Sequence, residues 1–233
     1  MTSEDFAALT TFSGTVRLFP LPNLVLFPGV VQGLHIFEPR YRQMMADALQ
    51  ADRLITLVLL QPGWEPEYPG NPPIYPIACL GRIADVDQLP DGRYNLQLRG
   101  LIRVRLNEEI TPASSGKLYR QAQATLLPDA DPVPTSAQRQ LRKHLTHALP
   151  AWRLEEGVFS TLRRLLQSAV SFGNVVDIVS FVLPLPLELK QQLLQTTDVE
   201  ERAARLLAHL EQDQPLEAPE WGERKFPPDF SVN

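Results

Sequence analysis

Residues 93 to 106, RYNLQLRGLIRVRL, alternate between polar and apolar side chains, and this alternation limits the fold more than any other feature of the chain. Tyr94, Leu96, Leu98, Gly100, Ile102, Val104 and Leu106 fall on one face. Arg93, Asn95, Gln97, Arg99, Arg103 and Arg105 fall on the other, and only Leu101 breaks the pattern. A period of two belongs to a strand with one buried and one solvated face. Gly100 in its middle predicts a bend or bulge, as where a strand turns a barrel corner. Just upstream, CLGRIADVDQLPDGRYNL predicts a hairpin that turns at Leu89-Pro90-Asp91-Gly92.

The remainder of the first half keeps the same grammar. LITLVLLQPG (54 to 63) is an apolar run with β-branched residues, bounded by Pro-Gly, and suits a buried strand. VRLFPLPNLVLFPG stops at the turn signal Pro28-Gly29, and YRQAQATLL (119 to 127) alternates again. One helix interrupts this small, strongly bent sheet. Pro39 stands where a first helical residue is favoured, because its missing N–H is not needed there. Tyr41, Met44, Met45, Ala48 and Leu49 then recur at helical spacing, and Glu38 is placed as the N-terminal cap or dipole partner.

From Thr135 the period changes to that of helices. Leu141, Leu145, Ala148 and Leu149 share one side; Val158, Leu162, Leu165, Leu166 and Ala169 share another, with Gly173-Asn174 read as a stop. NVVDIVSFVL reads as a short, very apolar helix for the middle of a bundle. A last helix opens with a capping box from Thr197 to Glu200. The expected class is therefore α+β: a bent β-barrel subdomain with one inserted helix over 1–130, an α-helical bundle over 131–213, and an extended tail over 214–233 that carries Trp221, Phe226 and Phe230.

Composition narrows the function. A chain of 233 residues buries roughly 70–75% of its unfolded surface and needs neither disulfide nor metal to fold. The single cysteine, Cys79, excludes an internal disulfide and Cys-based zinc sites. A net charge of −5 gives no electrostatic reason to expect nucleic acid or acidic lipid as the main partner. The first residues, MTSEDFAALTTFSG, are acidic and polar, unlike a signal peptide, and no apolar run approaches the ~18 residues of a membrane span. A cytoplasmic location is expected, with no membrane partner and no cofactor.

Several residues could carry chemistry. His35 and Glu38 could form an acid–base pair, but no third group can be named to orient the histidine. The favoured reading is a structural joint of His35, Glu38, Pro39 and Tyr41, in which His35 packs beneath the helix start. His144 and His147 lack the further ligands that zinc wants, and Asp85, Asp87 and Asp91 lack calcium-loop spacing; no metal is expected. The loop PGWEPEYPGNPPIYP (62 to 76) offers Trp64, Tyr68 and Tyr75 as rigid aromatic anchors for a polypeptide. Arg93, Arg99, Arg103 and Arg105 could track phosphates, but no aromatic interleaves them to stack bases.

The segments LFPLPNLVLFPG…LHIFEPRYRQMMADAL, LPDGRYNLQLRGLIRVRL and FVLPLPLELKQQLLQTTDVEERAARLLAHLE, in that order over residues 16 to 213, resemble the N-terminal substrate-binding domain of Lon proteases. The resemblance implies a PUA-like β-barrel followed by a helical bundle, and recognition of exposed or unfolded polypeptide. A separate protease or chaperone is a candidate partner beside the client polypeptide. The groove for clients would lie between barrel and bundle or beside the 62–76 loop. PUA-like folds also bind RNA, so the arginine-lined strand face is the alternative reading, although nucleic acid is not the expected partner. A Walker loop is missing: Gly116-Lys117 is followed by Leu118 where Ser or Thr is required, and Thr111 stands where the first Gly belongs. No Gly-x-Ser-x-Gly occurs, and a non-catalytic binding module is expected.

Overall fold

The computed structural model describes residues 2–67, 70–110, 116–130, 135–149 and 154–212. Tyr68 and the tail with Trp221, Phe226 and Phe230 lie outside the described residues. The fold is mixed α+β, and the chain divides into two compact units at Leu127/Pro128.

The first unit is built on six strands: β1 (Thr15–Leu21), β2 (Val31–Ile36), β3 (Leu54–Leu59), β4 (Ile77–Gln88), β5 (Tyr94–Ile110) and β6 (Gln121–Leu127). Their order is β2-β5-β4-β3-β1-β6, and β6 also pairs with β5. The strands β5, β4, β3, β1 and β6 therefore close into a ring, with β2 attached beside the first half of β5. β1 and β3 run parallel. That pairing requires a crossover, and part of it is a helix, α2 (Pro39–Gln50).

The alternation in β5 holds from Tyr94 to Gly100, where the even positions are buried. Leu101 then marks a bulge: Gly81 pairs with Gly100 and Leu80 with Ile102, leaving Leu101 without a partner on β4. Beyond the bulge the simple two-face reading fails. Arg103 is only 2% exposed, whereas Arg105 remains in solvent. Gly100 is required by a second contact, since a Cβ there would meet the Phe27 carbonyl oxygen at 2.2 Å. The turn that brings Phe27 so close has Pro28 second and Gly29 third, with φ +81° at Gly29 and the Val30 N–H donating to the Phe27 carbonyl at 3.2 Å.

α1 (Ser3–Thr10) was not visible as a helix in the acidic N-terminus. Thr2 and Asp5 form its capping box, and Ala8, Leu9 and Phe12 pack against the cluster of Val16, Leu18, Leu54 and Val104. Asp5 has no exposed surface and takes a hydrogen bond from Arg82 Nε at 2.8 Å. Burial alone would raise the Asp5 carboxyl, but the hydrogen bonds from Thr2 and Arg82 outweigh it and hold it below its ordinary value.

The second unit is helical: α3 (Ser136–Ala148), α4 (Glu156–Gln167), α5 (Phe172–Val182), α6 (Leu187–Gln195) and α7 (Val199–Glu211). α5 is the apolar helix expected in the middle, with Val175, Val176 and Val179 fully buried. Two boundaries differ from expectation. Gly173-Asn174 lies inside the first turn of α5 and does not stop the preceding helix. α4 ends at Ser168, whose carbonyl accepts from Arg142 at 2.6 Å, a cation at a helix C-terminus. Glycine at 173 has another purpose: a Cβ there would meet Asp129 Oδ2 at 2.3 Å. The cap of α7 is Asp198, which accepts from the Glu201 N–H at 2.8 Å, one residue later than the Thr197–Glu200 box. Glu200 instead accepts from the Thr135 hydroxyl.

Candidate functional site

The joint between β2 and α2 places Glu38, Pro39 and Tyr41 at the start of the helix. Glu38 occupies the N-cap position and Pro39 the first helical one, but the Glu38 side chain does not cap the helix. Its carboxylate accepts from Arg40 Nε at 2.9 Å, while the Glu38 carbonyl receives the N–H groups of Tyr41 and Arg42. Tyr41 is buried edge-on against Phe19, with ring centres 4.7 Å apart. His35 does not pack beneath the helix. It stands on β2 directly opposite Asn95, and its Nδ1 lies 2.7 Å from Asn95 Oδ1. Its Nε2 lies 3.4 Å from an Arg93 guanidinium nitrogen. A guanidinium only donates, so Nε2 accepts and Nδ1 carries the proton. These bonds tie His35 to a neighbouring strand as part of a polar cross-strand row.

That row is one of two. His35, Asn95 and Asp87 are in register across β2, β5 and β4, and Gly33, Gln97 and Asp85 form the next row. All of them line a shallow groove of about 410 Å³. Asn95, Gln97, Asp85 and Asp87 are exposed, and the Gln97 amide lies over Gly33, 3.5 Å from where a Cβ would stand. Asp85 accepts from the Val86 N–H at 2.9 Å, and among the described residues neither Asp85 nor Asp87 meets a cation. No single segment predicts this groove, because register brings its residues together from three strands. Among the described residues there is no group of three or more His, Cys, Asp or Glu side chains that could hold a metal.

The four arginines do not form one face. Arg93 is paired with Asp91 at 2.6 Å, and Arg103 is buried within the sheet. Arg99 is half-buried, with its Nε shielded from solvent, and Arg105 is exposed, as is Arg93. The bulge at Leu101 is the physical reason, since it re-aims the residues that follow.

Trp64 and Tyr75 are half-buried in the connection between β3 and β4. Its two ends are stitched together: the Gln61 N–H donates to the Pro73 carbonyl at 2.9 Å and the Tyr75 N–H to the Leu59 carbonyl at 3.0 Å. Arg120 reaches across to the Pro72 carbonyl at 2.7 Å. The loop base is rigid. It joins β4 at Ile77, opposite Arg105, whereas the polar groove lies at the other end of the β4–β5 ribbon, where Asp87 meets Asn95.

No helix among the described residues is long and apolar enough to cross a membrane. Residues 15–212 match the family described as the ATP-dependent protease La (LON) substrate-binding domain. The Lon protease of Parabacteroides distasonis is 31% identical over 219 residues, covering 91% of this chain and 26% of that protein. Lon protease 1 of Thermus thermophilus is 28% identical over 208 residues, covering 84% of this chain and 24% of that protein. The chain thus spans about a quarter of the length of these relatives. Among solved structures, a Lon N-terminal domain protein from Xanthomonas campestris superposes with a TM-score of 0.61 at 25% identity, covering 83% of this chain and 97% of that one. The N-terminal domain of Mycobacterium avium complex Lon protease gives a TM-score of 0.65 at 16% identity, over 86% of this chain and all of that one, a likeness of fold. The match is to the substrate-binding part of Lon, and the ATPase and protease modules are not within it. The chain belongs to the family of ATP-dependent protease La (LON) substrate-binding domains.

Proposed function

We propose that this chain is a non-catalytic module that recognises exposed or unfolded segments of other proteins in the cytoplasm and acts together with a protease. One observation carries the reading: the family match runs from residue 15 to 212, through both compact units. The rigid loop base that holds Trp64 and Tyr75 supports it, because aromatics on a fixed backbone lose little entropy when they anchor a partner. No observation favours RNA, since the four arginines point to different environments.

The test is fluorescence anisotropy with a labelled, permanently unfolded polypeptide and a labelled single-stranded RNA of similar size. The polypeptide is expected to bind and the RNA to stay free. Trp64→Ala with Tyr75→Ala should weaken polypeptide binding at least five-fold. Absence of any polypeptide binding would overturn the proposal.

A further inference from the structure

β2 is the one strand of the sheet with a single partner among the described residues. Its register fixes which backbone groups are spare. The Gly100 N–H donates to the Val30 carbonyl at 2.8 Å, and Val31 then pairs with Arg99, Gly33 with Gln97 and His35 with Asn95. In an antiparallel ladder, bonded and non-bonded pairs alternate. Gln32, Leu34 and Ile36 therefore direct their N–H and C=O groups toward β5, and Val31, Gly33 and His35 direct theirs away from the sheet. The Gly33 carbonyl agrees with this assignment: it accepts from the Gln32 side-chain amide at 2.8 Å.

Natural sheets protect such edges with lysine, proline, bulges or a covering element. β2, with the sequence VQGLHI, carries no charge and no proline. Val31 is 45% exposed, and Gly33 is exposed beside it. Apart from the Gly33 carbonyl, which the Gln32 amide takes, the outward backbone groups of β2 bond to nothing among the described residues.

The acidic groove lies on the face to which Val31, Gly33 and His35 point. We propose that the outer edge of β2 takes an extended polypeptide as an added antiparallel strand, with arginine or lysine at alternate positions lying over Gly33 toward Asp85 and Asp87. This rests on the polypeptide-binding reading above and names the chemistry of the segment bound. Strands lie about 4.8 Å apart, so Asp85 on β4 is about 14 Å from the incoming backbone; an extended basic side chain covers about half of that, and Asp85 and Asp87 draw it across Gln97 by charge and not by direct contact. The Gln97 amide, 3.5 Å from where a Cβ at 33 would stand, is the neutral group such a side chain passes over.

The geometry also fixes the phase. Directly opposite residues of an antiparallel pair share a face, and in a bonded pair they exchange both hydrogen bonds. The basic residues that reach the groove are thus the same residues whose N–H groups must bond Val31, Gly33 and His35. Side-chain choice and backbone bonding are locked to the same alternate positions.

The experiment uses the full chain and a capped ten-residue peptide alternating arginine and threonine, in three forms: unmodified, N-methylated at every arginine, and N-methylated at every threonine. The unmodified and threonine-methylated peptides are expected to bind, and arginine methylation to weaken binding at least ten-fold. Amide exchange at Val31, Gly33 and His35 should slow when the unmodified peptide is added. Gly33→Pro, which removes one outward N–H where the backbone has room for a Cβ, should weaken the peptide comparably. Equal binding by both methylated peptides would mean diffuse charge attraction and overturn the proposal. An unfolded polypeptide that binds while these three amides exchange unchanged would overturn the edge site alone. Silence from both the unfolded polypeptide and the peptide would overturn the polypeptide-binding reading as well.

Discussion

Arg202 grips Asp129 with both guanidinium NH2 groups, at 3.0 and 2.9 Å, and Gly173 passes so close to that pair that a single methyl would collide with it. Arg202 has no exposed surface and also faces Asp177 at 3.1 Å and the Thr196 carbonyl at 2.6 Å. The loop before α3, helix α5 and helix α7 meet at this one side chain. Alanine at 173 would gain up to about 1 kcal/mol of helix preference, yet it would push Asp129 off a buried cation. Gly173→Ala should therefore lower stability by about 2–3 kcal/mol in urea unfolding. In the Asp129→Ala background the same change should cost little, which a double-mutant cycle would read directly.

Acid should strike the first unit through Asp5. Its carboxyl is held below the ordinary value of 3.8, so it contributes stability above that pH and loses it as pH falls through the folded value. Asp47 behaves alike: burial would raise it, but hydrogen bonds from Lys117 and Tyr119 bring it down. Asp5→Asn should flatten the fall in the urea midpoint between about pH 5 and pH 2. An unchanged acid profile would mean that the Arg82 pair is not formed in solution.

Alkali should have opposite effects at two sites. Burial pushes Lys190 down from 10.5 to about 8, so its folded form resists the proton that the unfolded chain holds. Stability tied to Lys190 is present above 10.5 and lost as pH falls through about 8. Burial and the Asp47 contact push Tyr119 up from 10.0 to about 12. Its contribution is present below 10 and disappears as pH rises through about 12. Lys190→Met should abolish a rise on the order of 3 kcal/mol between these values, and Tyr119→Phe should abolish the later fall. Denaturant titrations at stepped alkaline pH measure both.

Gly100→Ala should be far worse than an ordinary glycine substitution. The obstructing atom is a backbone oxygen, that of Phe27, and Cys79 Sγ lies 3.1 Å away on the other side. The Phe27 carbonyl cannot swing clear without disturbing the turn that carries the Gly100 bonds to Gly29 and Val30. A loss of more than about 3 kcal/mol is expected, against roughly 0.5 kcal/mol for the surface change Val31→Thr. Thermal unfolding followed by circular dichroism distinguishes them.

The parts legible in the sequence were those set by local rules. The hairpin turn at 89–92 closes as read, with the Gly92 N–H donating to the Leu89 carbonyl at 2.9 Å, and Pro39 opens its helix. What the sequence concealed depends on distant partners. Leu101 was visible as a break in the pattern, but only its pairing with β4 reveals a bulge and the burial of Arg103. Gly173 looks like a helix stop until Asp129, far earlier in the chain, is seen beside it. α1 is short, and beyond its local Thr2–Asp5 capping box it is held by Arg82, 77 residues beyond Asp5. The acidic groove was least legible of all, being a matter of register alone.

The ring of strands has a consequence in time. β6 supplies its last stave, and Thr15 pairs with Gln123 across a separation of 108 residues. A ribosome delivers the chain from the N-terminus, so β1 and the far half of β5 wait with bare edges until Leu127 has emerged. Closing so long a loop is entropically slow, and the interval before closure is when this chain is most exposed to aggregation. A domain of the substrate-binding type thus passes through a stage at which it resembles the unfolded chains it is proposed to hold.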